Sequence, residues 1–160
     1  MVAIVQDDII YAVFEQNEVN KHQIITFLNK VDKDFYPNLS LRVSLEEYSE
    51  KLKSYAINFC SYLDNELIGL ASVYFNKRPK YSYWTFFAVD SRFRSFGVGI
   101  ELESMLIDYC KKNDSKGIEG EVRSSNKRLI RIHEMFGFQI VGVKLDTNDL
   151  VEKLIIRMIF

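Results

Sequence analysis

The sequence is poor in the residues that build metal centres and disulfide frameworks. Its two cysteines, Cys60 and Cys110, each sit in an apolar periodic context, which points to buried free thiols rather than a disulfide or a zinc site. His22 and His133 are too few and too isolated for a metal cluster, so no metal is expected. An excess of one charge is missing too. Twenty-one basic and 22 acidic side chains leave a net charge of −1, so no whole-protein field draws the chain to nucleic acid or to an anionic membrane. Long hydrophobic runs are absent. The apolar start Met1-Val2-Ala3-Ile4-Val5 meets Asp7 and Asp8 at once, too short for a signal-peptide core or a membrane span, and a cytoplasmic protein is expected. There are no repeats, low-complexity stretches or linkers. What remains is a chain of 160 residues, 48% hydrophobic, long enough for one well-cored domain over residues 1–160 and too short for two.

Periodicity orders this domain. Residues 9–14 are β-branched and aromatic enough for a strand, and Asn20 offers a cap to a helix carrying Ile24, Ile25, Phe27 and Leu28. Residues 34–40, interrupted by Pro37, read as a loop; Ser44-Leu45-Glu46-Glu47 is a capping-box pattern that opens a second helix. Two apolar runs, 59–63 and 67–75, flank Asp64-Asn65-Glu66, which is hairpin chemistry. After the basic turn Asn76-Lys77-Arg78-Pro79-Lys80 comes an apolar run, 81–89, whose lack of polar alternation predicts a central strand buried on both faces. A helix follows from Val98, with Leu102, Met105, Leu106, Tyr109 and Cys110 at helical spacing. Residues 117–123 alternate, with Ile118, Gly120 and Val122 on one face and Glu119, Glu121 and Arg123 on the other. Asn126 caps a further helix that stops at Gly137, and residues 138–145 and 154–160 close the chain as strands. These apolar strands at the C-terminal edge give reason to expect a homodimer.

Between the central strand and the helix after it lies Arg94-Ser95-Phe96-Gly97-Val98-Gly99. Two glycines let the backbone approach a ligand, and the first turn of the helix offers unpaired N–H groups at the positive end of its dipole. The segment has the spacing Arg/Gln-x-x-Gly-x-Gly/Ala and resembles the acyl-CoA pyrophosphate loop of the GNAT superfamily of N-acetyltransferases. The resemblance extends from Val89 through Glu121-Val122-Arg123-Ser124-Ser125-Asn126 to Phe136-Gly137-Phe138, with Ser91, Phe93 and Ser95 departing from the usual proline, tyrosine and glycine. A serine at 95 still supplies its N–H provided its φ is negative. The order strand, two helices, three strands, helix, strand, helix, two strands matches the same family. It implies an α/β (α+β) GNAT fold: a mixed sheet of about seven strands, roughly four helices, and a splay between the fourth and fifth strands.

The resemblance also implies roles. Acetyl-CoA is the co-substrate, with backbone groups of Phe87, Ala88 and Val89 pairing with the pantetheine amides. The N–H groups of Arg94, Ser95, Phe96, Gly97, Val98 and Gly99 take the pyrophosphate, and Asn126 bonds the pantetheine arm or caps its helix. Glu121 matches the glutamate that serves as general base in N-terminal-alanine acetyltransferases, with a structural hydrogen bond as its other reading and Glu119 as a weaker candidate. His133 stands where the family usually has a tyrosine that protonates or steadies the CoA sulfur. An imidazole near its reference pKa of about 6.5 passes a proton downhill to a thiolate of about 8.5, unless the ring is a satisfied core group. Tyr36, Arg42 and Tyr83 are candidate acceptor contacts, Arg42 for an acidic group. Residues 39–48 resemble a branch of the family associated with bacterial surface sugars. The readings are a small-amine N-acetyltransferase, with amino sugars or sugar nucleotides as acceptors, a protein N-terminal acetyltransferase, and a CoA-binding regulatory module without catalysis.

Overall fold

A computed structural model describes residues 8–75 and 81–160, together with the backbone of residues 2–6; the basic turn expected at 76–80 lies outside the described residues. Strands β1 (Val2–Gln6) and β2 (Ile9–Phe14) form an N-terminal hairpin. Helix α1 (Lys21–Val31) begins at Asn20, whose side chain accepts the Gln23 N–H at 3.1 Å, and α2 (Leu45–Tyr55) at Ser44, which accepts the Glu47 N–H at 3.3 Å. Between them, residues 32–34 and 39–41 make short 3-10 turns. Strands β3 (Ile57–Leu63) and β4 (Glu66–Phe75) pair around Asp64 and Asn65, whose φ values of 50° and 63° are those of a tight primed turn. Then come β5 (Ser82–Val89), α3 (Val98–Lys112), β6 (Gly117–Arg123), α4 (Lys127–Met135), β7 (Gln139–Leu145) and β8 (Glu152–Ile159).

All the strands form one sheet in the order β1-β2-β3-β4-β5-β6-β8-β7, antiparallel except for the parallel pair β5 and β6. The first strand is additional to the expected set, so the splayed pair, fourth and fifth when counted from Ile9–Phe14, is β5 and β6. Cores form on both faces. Ile24, Phe27, Leu28 and Leu52 of α1 and α2 pack on one face with Leu70 and Phe86, while Val98, Leu102 and Leu106 of α3 pack on the other with Phe59 and Ile118. Both cysteines are buried and free. No helix among the described residues is long and apolar enough to cross a membrane.

The strand over 81–89 is buried on both faces as expected, with Phe86 in the core under α1 and α2 and Trp84, Phe87 and Val89 in the core under α3, but not evenly along its length. Trp84 of β5 pairs with Val73 and Phe86 with Ser72, so Thr85 is an extra residue that bulges the strand, and Tyr83, Thr85 and Ala88 are only half-buried. The strand open at the C-terminal edge is β7, not the tail. β8 lies between β6 and β7, so the free edge of the sheet at this end is that of β7, where Val143 and Leu145 are exposed.

Candidate active site

The site begins where the sheet divides. β5 and β6 are paired only from Ser82 to Trp84 against Ile118 to Gly120, and beyond that point no ladder joins them. Gly120 permits the fork: a Cβ there would lie 2.2 Å from Cε3 of Trp84, whose indole N–H donates to the Phe86 carbonyl at 3.1 Å. The divided strands form the walls of a cleft of about 1400 Å³. One side of it is lined by the segment between α1 and α2 and by Tyr48 of α2, the other by the start of α3 and by α4.

At the open end, residues 91–96 form a 3-10 turn started by Asp90, whose carboxylate accepts the Arg92 N–H at 3.0 Å. Gly97 follows with φ of 76°, the left-handed region that glycine adopts without strain, and no side chain caps α3. The N–H groups of its first turn are therefore free of a capping partner. Ser95 keeps the negative φ its N–H requires. Gly99 is a different case. A Cβ there would meet Phe87 at 3.6 Å and Val89 at 3.7 Å, ordinary contacts, so neither packing nor φ demands a glycine. The bare backbone at 99 faces the cleft, leaving the room a ligand needs.

Most of the expected donor-side residues converge here: Phe87, Ala88, Val89, Arg94, Ser95, Gly97, Gly99 and Asn126 all line the cleft. The side chains of Phe96 and Val98 do not. Phe96 is exposed and Val98 lies under α3, so only their backbone reaches the loop. Arg94 is tethered rather than free, its Nε donating to the Val89 carbonyl at 3.1 Å and Nη2 pairing with Asp34 at 2.9 Å. Oδ1 of Asn126 accepts the Leu129 N–H at 3.2 Å and caps α4. Sequence reasoning missed Arg128 and Arg131, which also line this end; Arg128 donates to the Arg94 carbonyl. Their spacing of three on one face of α4, opposite Ile130 and His133, is the signal that marks them.

On the other side of the fork, Glu121 projects into the cleft and pairs with Lys144 of β7 at 3.1 Å. Glu119, the weaker candidate, does not line the cleft and is taken up by Arg157 at 2.7 Å. Tyr36, Arg42 and Tyr83 line the same region, joined by Tyr48, which was not anticipated and whose hydroxyl donates to the Thr85 carbonyl at 3.2 Å. Burial, with the nearby charges of Glu121 and Glu119, pushes the Tyr83 phenol up to about 12.

His133 is placed as the second of its two readings, a core group. It does not line the cleft. The ring is 1% exposed, packed against Trp84 at 4.3 Å, Phe138 at 5.1 Å and Phe87 at 5.7 Å, and its Nδ1 bonds to Oε1 of Glu103 at 3.0 Å. Glu103 of α3 engages its Nδ1, so the ring joins α3 to α4 inside the core.

The sequence profile of the acetyltransferase (GNAT) family matches residues 23–138. No protein of curated function matches the chain significantly. Among solved structures, a candidate streptothricin acetyltransferase of Bacillus anthracis in complex with acetyl coenzyme A is 25% identical with a TM-score of 0.59. That match covers 68% of this chain and 64% of the other, so it spans less than two thirds of that protein's length. A GNAT-family acetyltransferase of Streptococcus pneumoniae is 16% identical over 94% of this chain and 99% of its own, with a TM-score of 0.73. The ribosomal-protein-S18-alanine N-acetyltransferase of Escherichia coli is 18% identical over 93% of each chain, with a TM-score of 0.68. The last two likenesses are of fold.

Proposed function

Since the chain belongs to the acetyltransferase (GNAT) family, we propose that it is an N-acetyltransferase that moves an acetyl group from acetyl-CoA to the primary amine of a small acceptor by direct attack. The observation that carries this reading is the fork. Strands that part beyond Trp84 and Gly120 open a cleft with an uncapped helix N-terminus and a bare Gly99 at one end and a carboxylate, Glu121, on the opposite wall. An elongated donor carrying a pyrophosphate fits the first feature, and an amine that must lose a proton fits the second.

The residues present suit the donor. N–H groups of Ser95 to Gly99 bind the pyrophosphate, Arg128 and Arg131 supply positive charge, and the backbone of Phe87 and Ala88 pairs with the pantetheine amides. The Val89 carbonyl is already engaged by Arg94, so it contributes less. Acetyl-CoA supplies an activated thioester; the chain positions it, receives the amine and handles its proton. Glu121 takes that proton, directly or through one water, and Lys144 holds the carboxylate in place. Departing thiolate is steadied by a hydrogen bond from Tyr83. With its phenol near 12, above the thiol's reference of about 8.5, Tyr83 holds the sulfur without protonating it, and solvent provides the proton.

The test is release of free CoA from acetyl-CoA with a panel of amines, followed with wild type and Glu121→Gln. Loss of a general base lowers kcat about 10²-fold or more with acetyl-CoA affinity unchanged. A fall of less than about threefold removes Glu121 from the base role, and acetyl-CoA binding without turnover on any amine favours a regulatory module.

A further inference from the structure

Resting on the reading of an amine acceptor, we propose that the acceptor carries an acidic group, a carboxylate or a phosphate, and that Arg123 and Arg42 bind it. The two guanidinium groups reach the acceptor side of the cleft from different elements, β6 and the segment between α1 and α2, and both line it. Lys153 of β8 lines it as well, directly opposite Arg123 in the β6–β8 ladder, where like charges repel.

The local carboxylates do not balance this cluster evenly. Lys153 is 2.8 Å from Asp146 and 3.9 Å from Asp149, and Arg42 is 3.5 Å from Asp149. Arg123 makes no ion pair among the described residues. It donates to the carbonyls of Tyr36 and Pro37, the latter at 3.2 Å, and lies over the Phe35 ring at 5.7 Å. A half-buried cation with carbonyl partners alone is incompletely compensated. Burial first, and then the nearby Arg42 charge, lower its pKa, while the more weakly acting Asp149 carboxylate, already shared with Arg42 and Lys153, opposes them.

A guanidinium has five N–H donors, so Arg123 keeps some for an anion while it holds residues 36 and 37. Arg123 follows Glu121 by two residues on one face of β6, about 7 Å along the strand. The amine and the acidic group of the acceptor therefore lie within one small molecule. Tyr36, Tyr83 and Phe86 beside them provide apolar surface for its body.

Matched acceptors test this: glucosamine 6-phosphate against glucosamine, and a free amino acid against its amide, with an acidic peptide as a fifth substrate. The anionic member of at least one pair is expected to have kcat/KM higher by about tenfold or more, the worth of one charge-assisted hydrogen bond. The pair that responds distinguishes phosphate from carboxylate. In Arg42→Gln and Arg123→Gln the preference collapses through KM for the acceptor, while KM for acetyl-CoA stays within about twofold. Arg42→Gln keeps the test valid if loss of the Arg123 contacts to the Tyr36 and Pro37 carbonyls unfolds the chain. Equal turnover of both members, or an equal fall for both in either variant, overturns the anion site and leaves acetyl transfer standing; preference for the peptide overturns the small acceptor. No transfer to any amine overturns both.

Discussion

Glu103 and His133 are each 1% exposed, and the single bond between them leaves Oε2 of the one and Nε2 of the other without a partner among the described residues. A pair so placed is expensive to build and more expensive to break, because removing one member strands the other in an apolar shell formed by Trp84, Phe87 and Phe138. Its visible effect is on position: it ties α3 to α4 directly behind Trp84, the residue at the fork. His133→Ala is therefore expected to destabilise the fold by about 3–5 kcal/mol, from an uncompensated Glu103 and the cavity left by the ring. In the double variant Glu103→Met/His133→Phe most of that loss is recovered, because an apolar pair leaves neither a stranded charge nor an unpaired polar group. Urea denaturation measures both. The pH profile of kcat at saturating substrates should be unchanged in the double variant; a displaced limb would return His133 to the reaction. Spacing alone could not reveal this placement, since a tyrosine and a histidine occupy the same helical position with different reach.

The turn between β5 and α3 separates two uses of glycine within three residues. Gly97 answers to the backbone, with a positive φ; Gly99 answers to nothing inside the protein, since an added methyl group would find ordinary contacts. Gly99→Ala is accordingly expected to leave stability unchanged or to raise it by up to about 1 kcal/mol, as alanine does within a helix. In the proposed donor site the same methyl group narrows the approach of the pyrophosphate, so the Kd for acetyl-CoA is expected to rise about tenfold or more, the cost of one good hydrogen bond to a charged group. Calorimetric titration beside thermal unfolding reads both quantities, and a variant that is less stable but binds equally well would assign Gly99 to packing instead. Elements of this kind were legible before any coordinates, because their causes are local. The Ser44 and Asn20 caps, the Asp64-Asn65 turn, the alternation in β6 and the two-glycine loop are written in neighbouring residues. The fork was not. It depends on the Trp84 ring lying on Gly120, more than thirty residues away in sequence, and on the Thr85 bulge against Ser72 and Val73 of the neighbouring strand. The pairing of Arg42 with Asp149 across more than a hundred residues was hidden for the same reason. β1 was missed because its apolar residues were weighed only as a leader, although they pair along the whole of Val2 to Gln6 with β2.

Across the whole molecule, one side of the cleft is built on β1 to β5 with α1 and α2, and the other on β6, β8 and β7 with α4. The sheet is continuous between these halves only through the three-residue ladder of Ser82 to Trp84 with Ile118 to Gly120, although α3 packs against both β4 and β6. Side chains bridge the open part of the cleft. Arg123 reaches the carbonyls of Tyr36 and Pro37, Arg42 reaches Asp149, and Arg128 reaches the carbonyl of Arg94, which itself pairs with Asp34. These are exposed or half-exposed polar links of modest individual worth. A donor seated between the strands would tie the same walls together by backbone hydrogen bonds, and only the folded chain can bind it. At a concentration one hundred times its Kd, acetyl-CoA should therefore add about 2.7 kcal/mol of stability. For a chain of this size that corresponds to a rise in Tm of about 5–11 °C. The protection should also be localised. Amide hydrogens of residues 87–89 and 95–99 should exchange more slowly with donor bound, whereas the β1–β2 hairpin, remote from the cleft, should not change. A thermal scan with acetyl-CoA against the same scan with inorganic pyrophosphate separates the contributions. If pyrophosphate alone produces the full rise, the strands contribute nothing to donor binding and the fork is not the pantetheine channel.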